Sequence, residues 1–430
     1  MTPSLTVASA ACPRTGQHTS AAWVRPVLLL FAAYLAVPVL EVPLFGLSLS
    51  APLFSFVALD CLLRPVAWRR YRKWVLLAVL FWTAHPFSLA ANVFLGNLTE
   101  ISAAQARLLA RFAYWMLVFA VTTVLVHRSC LGPSLAKALA AGALALGFLR
   151  LAEAAVFGYW GGGNPQFLSQ NDYGFGFSAF TPFATWLAVE SRGWRKLPVV
   201  VAWLALLCAV IGNGSRSSWI TVALGLLLIA LLAGLARAPT ALAPTTALLL
   251  LAALPVAVIW IAPPALRDPV VERSATWGRL DRDKPFLARQ LLIRKGIALF
   301  QQNPLFGVGA GGFTESVVRL EIPRTLSYRS IEAFNRKTPH NSYVKVLAET
   351  GLFGASSLFC LLALLGWRGL PATLAQARHG ETWAIPVFAG FVTMCVHFWT
   401  LSGHTGTAPW FLCGMLAGVI ERNRSSVPNQ

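Results

Sequence analysis

The sequence predicts an all-α polytopic membrane protein of about twelve transmembrane helices. One large helical segment is expected outside the bilayer, between the ninth and tenth of them. Three observations lead there. The 430 residues are 57% hydrophobic and only 12% charged, where soluble domains carry roughly a quarter charged residues. Apolar runs near the length of a membrane span recur along the chain. Lys and Arg also cluster in alternate connections between those runs.

A spanning helix needs about 20 mostly apolar residues. Such runs fall near 24–41, 43–63, 74–95, 107–126, 134–157, 174–190, 197–212, 217–235, 245–262, 341–366, 382–400 and 407–421. The connections containing Arg64 and Lys73, His127 and Arg128, Arg192 and Lys196, Arg237, Arg368 and Arg378, and Arg422 and Arg424 are basic. Those at 97–102, 158–173 and 402–407 carry no Lys or Arg. Because positive loops stay in the cytoplasm, both termini are expected inside. No cleavable signal peptide is expected, because the first apolar run begins late and lacks a small-residue cleavage site.

The segment from 263 to 339 breaks the alternation with 13 Lys or Arg against 7 Asp or Glu. Loops longer than roughly 60 residues cross the membrane regardless of charge, so the orientation stands. The expected divisions are 1–262 (helices one to nine), 263–340 (the outer segment) and 341–430 (helices ten to twelve and a cytoplasmic end). Within the outer segment, 286–302 (FLARQLLIRKGIALFQQ) reads as an amphipathic helix stopped by Asn303-Pro304. Phe286, Ile293, Ile297 and Phe300 supply its apolar face, and Arg289, Arg294 and Lys295 its charge. Such a helix can lie on the membrane surface among lipid headgroups. A glycine-rich run, Gly307-Val308-Gly309-Ala310-Gly311-Gly312, follows and permits a tight backbone path.

The formal net charge of +19 admits nucleic acid, topology signals or an anionic lipid or phosphate substrate. Nucleic acid is excluded as a partner, since the basic residues lie in short clusters between apolar runs rather than on one soluble face. The seven cysteines show no metal spacing, no HExxH, Walker loop or paired carboxylates occur, and no metal site or cofactor is expected. Arg150 and Glu153, at i and i+3, are read as a pair. His85 and His397 are read as packed polar residues rather than ligands.

Three places concentrate possible chemistry. His340, in Pro339-His340-Asn341-Ser342-Tyr343, falls where the outer segment re-enters the membrane. Histidine exchanges a proton near neutral pH, although a lone boundary histidine is more often an ordinary interfacial residue. Asn341, Lys345 and Glu349 are spaced to share a helical face, and ionisable groups inside a membrane usually line a cavity or pair. Arg216, in Asn213-Gly214-Ser215-Arg216-Ser217-Ser218-Trp219, is the one basic residue of an outward turn. Its planar fork suits phosphate oxygens, and snorkelling to lipid headgroups is the plainer alternative.

P-H-N-S-Y followed by A-E-T-G-L-F-G resembles the signature of the O-antigen ligase and O-antigen polymerase superfamily. N-G-S-R-S-S-W resembles its Ser-Arg turn. The stretch R-Q-L-L-I-R-K-G-I-A-L-F-Q-Q-N-P-L-F-G-V-G-A-G-G-F resembles the segment leading into its N-P-L-x-G-x-G motif. These pieces lie between about 205 and 365, and the earlier helices are similar only in hydropathy. The resemblance implies a fold like that of GT-C-type glycosyltransferases and a metal-independent, inverting glycosyl transfer on the periplasmic side of a Gram-negative inner membrane. The implied donor is glycan on undecaprenyl diphosphate, and the acceptor in ligases is the lipid A-core oligosaccharide. His340 matches the family's histidine and would be the base; Arg216 and Arg289 match its arginines and would hold the diphosphate, with Asn341 beside them in substrate binding. Glu349, Lys345, Tyr343 and Arg294 are secondary candidates.

Among these relatives the ligase is favoured, because a single dominant outer segment precedes the His340 helix, where polymerases more often carry two. Protein O-oligosaccharyltransferases usually have a longer C-terminal region. A transporter or flippase of a lipid-linked anion is the alternative of another class, but it leaves the basic outer segment unexplained and no related halves are evident.

Overall fold

The structure is a computed structural model that describes residues 24–36, 50–63, 68–129, 131–158, 169–236, 253–279, 283–318, 334–401 and 403–426. The described chain is helical, with short 3-10 turns and no strand among those residues. The helices are α1 (Val24–Ala36), α2 (Ser50–Leu63), α3 (Trp68–Phe94), α4 (Ala103–Arg128), α5 (Gly132–Phe157), α6 (Gln170–Glu190), α7 (Lys196–Gly212) and α8 (Arg216–Leu235). They continue with α9 (Leu254–Ile261), α10 (Pro264–Ala275), α11 (Lys284–Gln302), α12 (Ser342–Arg378), α13 (Ala384–His397) and α14 (Thr407–Ser426). Six spans, those of α3, α4, α5, α7 with its leading 3-10 turn, α8 and α12, are long and apolar enough to cross a membrane; α1 and α13 are shorter and apolar. The chain is a polytopic integral membrane protein. The beginning of the predicted run 245–262 lies outside the described residues.

Lipid offers no hydrophobic drive between helices, so contact rests on close packing and polar pairs. Gly414 and Gly418 of α14 set their bare backbone against α4: a Cβ at Gly414 would fall 2.7 Å from the Phe119 carbonyl oxygen, and one at Gly418 2.6 Å from Val126. Gly142 of α5 meets the carbonyl of Ala33 in α1 in the same way. Hydroxyls join the trio α6, α8 and α13. Thr393 donates to the Ser178 carbonyl at 2.7 Å, while the Ser178 hydroxyl lies 2.5 Å from that of Thr221 and 3.0 Å from His397 Nδ1. His397 and His85, whose Nδ1 is 3.0 Å from the Phe81 carbonyl, are therefore packed polar residues.

Two predicted connections are helical instead. The basic stretch around 68–73 forms the first turns of α3, and Arg368 to Arg378 continue α12. Long basic side chains let a helix run past its apolar core because the heads reach polar surroundings. At that end Glu421 is buried and gathers Lys73 at 2.7 Å, Trp74 Nε1 at 2.8 Å, Arg424 at 3.6 Å and Arg70 at 3.8 Å.

At its other end α12 is broken. Gly351 has φ +62, in the left-handed region that only glycine enters freely, and divides the helix after its first turns. The loop after α11 supplies the missing ladder. Val308 N–H donates to the Ala348 carbonyl at 2.9 Å and Gly309 N–H to that of Glu349 at 3.1 Å. In return Leu352 N–H donates to the Pro304 carbonyl at 2.8 Å and Phe353 N–H to that of Leu305 at 3.2 Å. A Cβ on Gly351 would lie 2.4 Å from the Leu305 carbonyl, and one on Gly307 2.4 Å from the backbone of Glu349. The N-P-L-F-G-V-G and A-E-T-G-L-F-G segments are thus two sides of one backbone joint. From α3, Ser88 donates to the Glu349 carbonyl at 2.7 Å and Asn92 to that of Gly307 at 2.8 Å.

Candidate active site

The first wall of the site is the turn between α7 and α8. Gly214 (φ +67) reverses the chain, so Arg216 begins α8. The turn is braced from beneath. Asn213, fully buried, donates to the Gln170 carbonyl at 2.9 Å and receives the Gln170 side-chain amide on its own carbonyl at 2.7 Å. Arg150 Nε donates to the Asn213 side chain at 3.3 Å, and its guanidinium lies 5.7 Å from the Tyr173 ring centre. Arg150 therefore serves the turn as well as its helix neighbour Glu153, which acts on it electrostatically.

Three further elements converge on Arg216. Its guanidinium donates to Thr276 Oγ1 at 3.0 Å and forms an ion pair with Asp283, whose side chain is only 5% exposed. Arg273, from the last turn of α10, reaches the same carboxylate at 3.8 Å and donates from Nε to the Gly214 carbonyl at 3.2 Å. Arg289, one helical turn and a half beyond Asp283, joins this charge cluster. Its pKa is pushed down by burial and by Arg216 and Arg273, with Asp283 opposing; a guanidinium nonetheless stays charged near neutrality.

The amphipathic helix exists, but its buried face differs from the predicted one. Leu291, Leu292, Lys295, Gly296 and Leu299 are buried, while Ile297 is 43% exposed. The helix had two apolar stripes to choose from, and Gly296 decided: its missing Cβ would lie 2.3 Å from Val344, so α11 seats directly on the start of α12. Lys295, read as surface charge, is instead fully buried, donating to the Asn335 carbonyl at 2.6 Å with Nζ 4.8 Å from the Phe313 ring centre. Burial lowers its pKa to about 8. Arg294 is exposed.

His340 closes the site. It is the one non-glycine residue with positive φ (+48) among those described, and backbone strain of this kind collects at functional positions. The backbone that follows it is fixed: Asn341 caps α12 by accepting the Val344 N–H at 3.0 Å, and Ser342 N–H donates to the Phe398 carbonyl at 2.8 Å. The His340 Nδ1 is buried without a hydrogen-bond partner. Burial first, then the charges of Arg289 and Lys337, push its pKa below the usual value, and Asp172 pulls the other way. The imidazole is neutral at pH 7 and able to take up a proton.

The secondary candidates separate from this cluster. Tyr343 donates to the Cys395 carbonyl at 2.8 Å, which ties α12 to α13, and stacks on Phe359 of its own helix beyond the break. Glu349 meets the N–H groups of Gly311 and Phe313 and feels Lys345, so both residues face the glycine-rich joint. Asn341, one i to i+4 step before Lys345, is the cap at which the helix begins. In the other direction, Arg273, Asp283 and Asp172 carried no motif; each sits in an ordinary polar run, and the acid before Lys284-Pro285 was at most a helix-start signal. Among the described residues no cluster of His, Cys, Asp or Glu could hold a metal ion.

Below Arg216, an apolar cavity of about 360 Å³ opens between α7, α8, α9 and α10, lined by Val210, Trp219, Val222, Ile259, Trp260 and Val270. Trp219 and Val270 lie within one turn of Arg216 and Arg273 in sequence, so the cavity adjoins the arginines. The arrangement offers clustered guanidiniums for an anion, a neutral imidazole for a proton and an apolar recess beside both. No curated protein matches the chain. The family model described as O-antigen ligase matches residues 200–359, a range holding Arg216, Arg273, Asp283, Arg289 and His340 together. Over those residues the chain is similar to that family.

Proposed function

We propose that the protein is an O-antigen ligase of the inner membrane of a Gram-negative bacterium, moving O-antigen glycan from undecaprenyl diphosphate to the lipid A-core oligosaccharide at the periplasmic face. The observation that carries this reading is the convergence of Arg216, Arg273 and Arg289 beside a neutral His340. An acceptor hydroxyl gives its proton to His340 as its oxygen forms the bond to the anomeric carbon. The bond from that carbon to the diphosphate oxygen breaks with inversion, and undecaprenyl diphosphate leaves with the negative charge. Guanidiniums fixed where that charge develops stabilise the transition state more than the ground state. The apolar cavity beside Arg216 suits the prenyl end of such a donor, and no step in this scheme requires a metal or cofactor.

The test is purified protein with lipid-linked O-antigen and core acceptor, with and without a chelator. Glycan on the core, insensitive to the chelator, is the expected product. Longer undecaprenyl-linked glycan with none on the core would establish the polymerase instead, and donor movement across vesicles without any new glycosidic bond would establish a transporter.

A further inference from the structure

Asp283 occupies an unusual position for a helix-capping acid. It is the residue before the first turn of α11, where Asp ordinarily accepts the N–H of the second or third helical residue. Here its side chain makes no such bond. The carboxylate turns to Arg216 and Arg273 instead, and its side chain is 5% exposed. In α11 the second residue is Pro285, which has no N–H, so Phe286 is the one available for capping. Asp283 thus has two sets of partners within a side-chain rotation: two guanidiniums on one side, a helix terminus on the other.

Resting on the diphosphate-donor reading above, we infer that Arg273 is a third ligand of the donor diphosphate, and that Asp283 is the carboxylate this diphosphate replaces. A carboxylate and a phosphate present the same oxygen geometry to an arginine fork. Without donor, Asp283 compensates two closely placed cations that would otherwise repel. With donor, the diphosphate oxygens take the guanidiniums and Asp283 swings to the Phe286 N–H. Arg273 is fixed for this role by its bond to Gly214, which leaves its Nη groups directed to the shared anion position. Because α11 also carries Arg289, capping of its first turn firms the element that presents the remaining arginine. Arg216 and Arg289 alone leave unexplained why a third guanidinium and a buried carboxylate stand in the same cluster.

The experiment is calorimetric binding of inorganic diphosphate to the full-length protein in detergent, for wild type, D283N and R273Q. Asparagine caps a helix as well as aspartate does, so D283N removes the competing charge and keeps the cap. D283N is expected to bind diphosphate about tenfold tighter, the effect of one close charge pair, and R273Q about tenfold more weakly. In wild type, hydrogen exchange of the peptide containing Phe286 slows when diphosphate is added. If Asp283 only holds the fold together, D283N binds equally or less well, and that result overturns the inference. R273Q binding like wild type also overturns it, and so does a wild type that binds no diphosphate. The reading of the reaction fails separately: transfer of glycan at the wild-type rate by a His340→Ala protein would remove it while leaving diphosphate binding unmoved.

Discussion

Arg150 and Asn213, 63 residues apart in sequence, meet at 3.3 Å in the protein interior, and this bond braces the turn that presents Arg216. Asn213 is the hub, with bonds to Gln170 on both its side chain and its backbone. Asn213→Ala is therefore expected to weaken donor use through Arg216, raising the donor KM several-fold with a smaller change in kcat. A steady-state titration of donor at saturating acceptor checks this; an unchanged KM would show that the turn holds without its hub.

His340→Ala should reduce kcat by about 10²- to 10⁴-fold, the usual worth of a general base, with protein yield and diphosphate binding near wild type. Quantifying glycan on the core by gel and mass spectrometry decides the matter.

The pH dependence follows from the sign of the His340 shift. Its pKa lies below the ordinary histidine value because of burial, Arg289 and Lys337. The base is already neutral at pH 7, so the acid limb of kcat/KM should lie below the unperturbed histidine value of about 6.5. Arg289→Gln removes one of the positive charges that lower it, so the limb should move upward, in addition to a fall in rate. A limb that does not move would separate Arg289 from His340.

Arg216→Lys keeps the charge and loses the planar fork. A loss of about 10- to 100-fold in kcat/KM is expected if two oxygens are held at once. Activity equal to wild type would leave Arg216 as a point charge only.

Lys295 makes stability depend on pH away from the reaction. With a folded-state pKa of about 8 against 10.5 unfolded, the folded protein releases this proton first. Between those values the unfolded chain binds more protons, so stability should rise with pH across that window. Thermal unfolding in detergent should show the rise in wild type and a flatter profile in Lys295→Met.

Much of this was legible because motif and geometry coincide. Gly214 and Arg216 lie within a turn whose residue types already specified it, and the apolar run predicted from 341 begins where Asn341 caps α12. The faces of α11 were less legible, since Ile293 and Ile297 satisfy helical periodicity as well as Leu291, Leu292 and Leu299 do. Tertiary packing through Gly296 chose between them. Arg273 and Asp283 were hidden for another reason. Their meaning lies in a pairing across the 3-10 turn that no local pattern encodes, and a buried charge in a polar run looks like any exposed one. The break at Gly351 was invisible because the hydropathy runs through it without change.

That break has a mechanical consequence. A continuous helix would pass any tilt or axial slip straight from the bilayer to His340. Cut at Gly351 and splinted by the backbone of 304–309, which bonds to both parts of the helix, the first turns of α12 are tied at once to the membrane span and to the end of α11, the helix that carries Arg289. The proposed base and the arginine-bearing helix are thereby fastened at one joint, so a shift of the membrane span reaches both together.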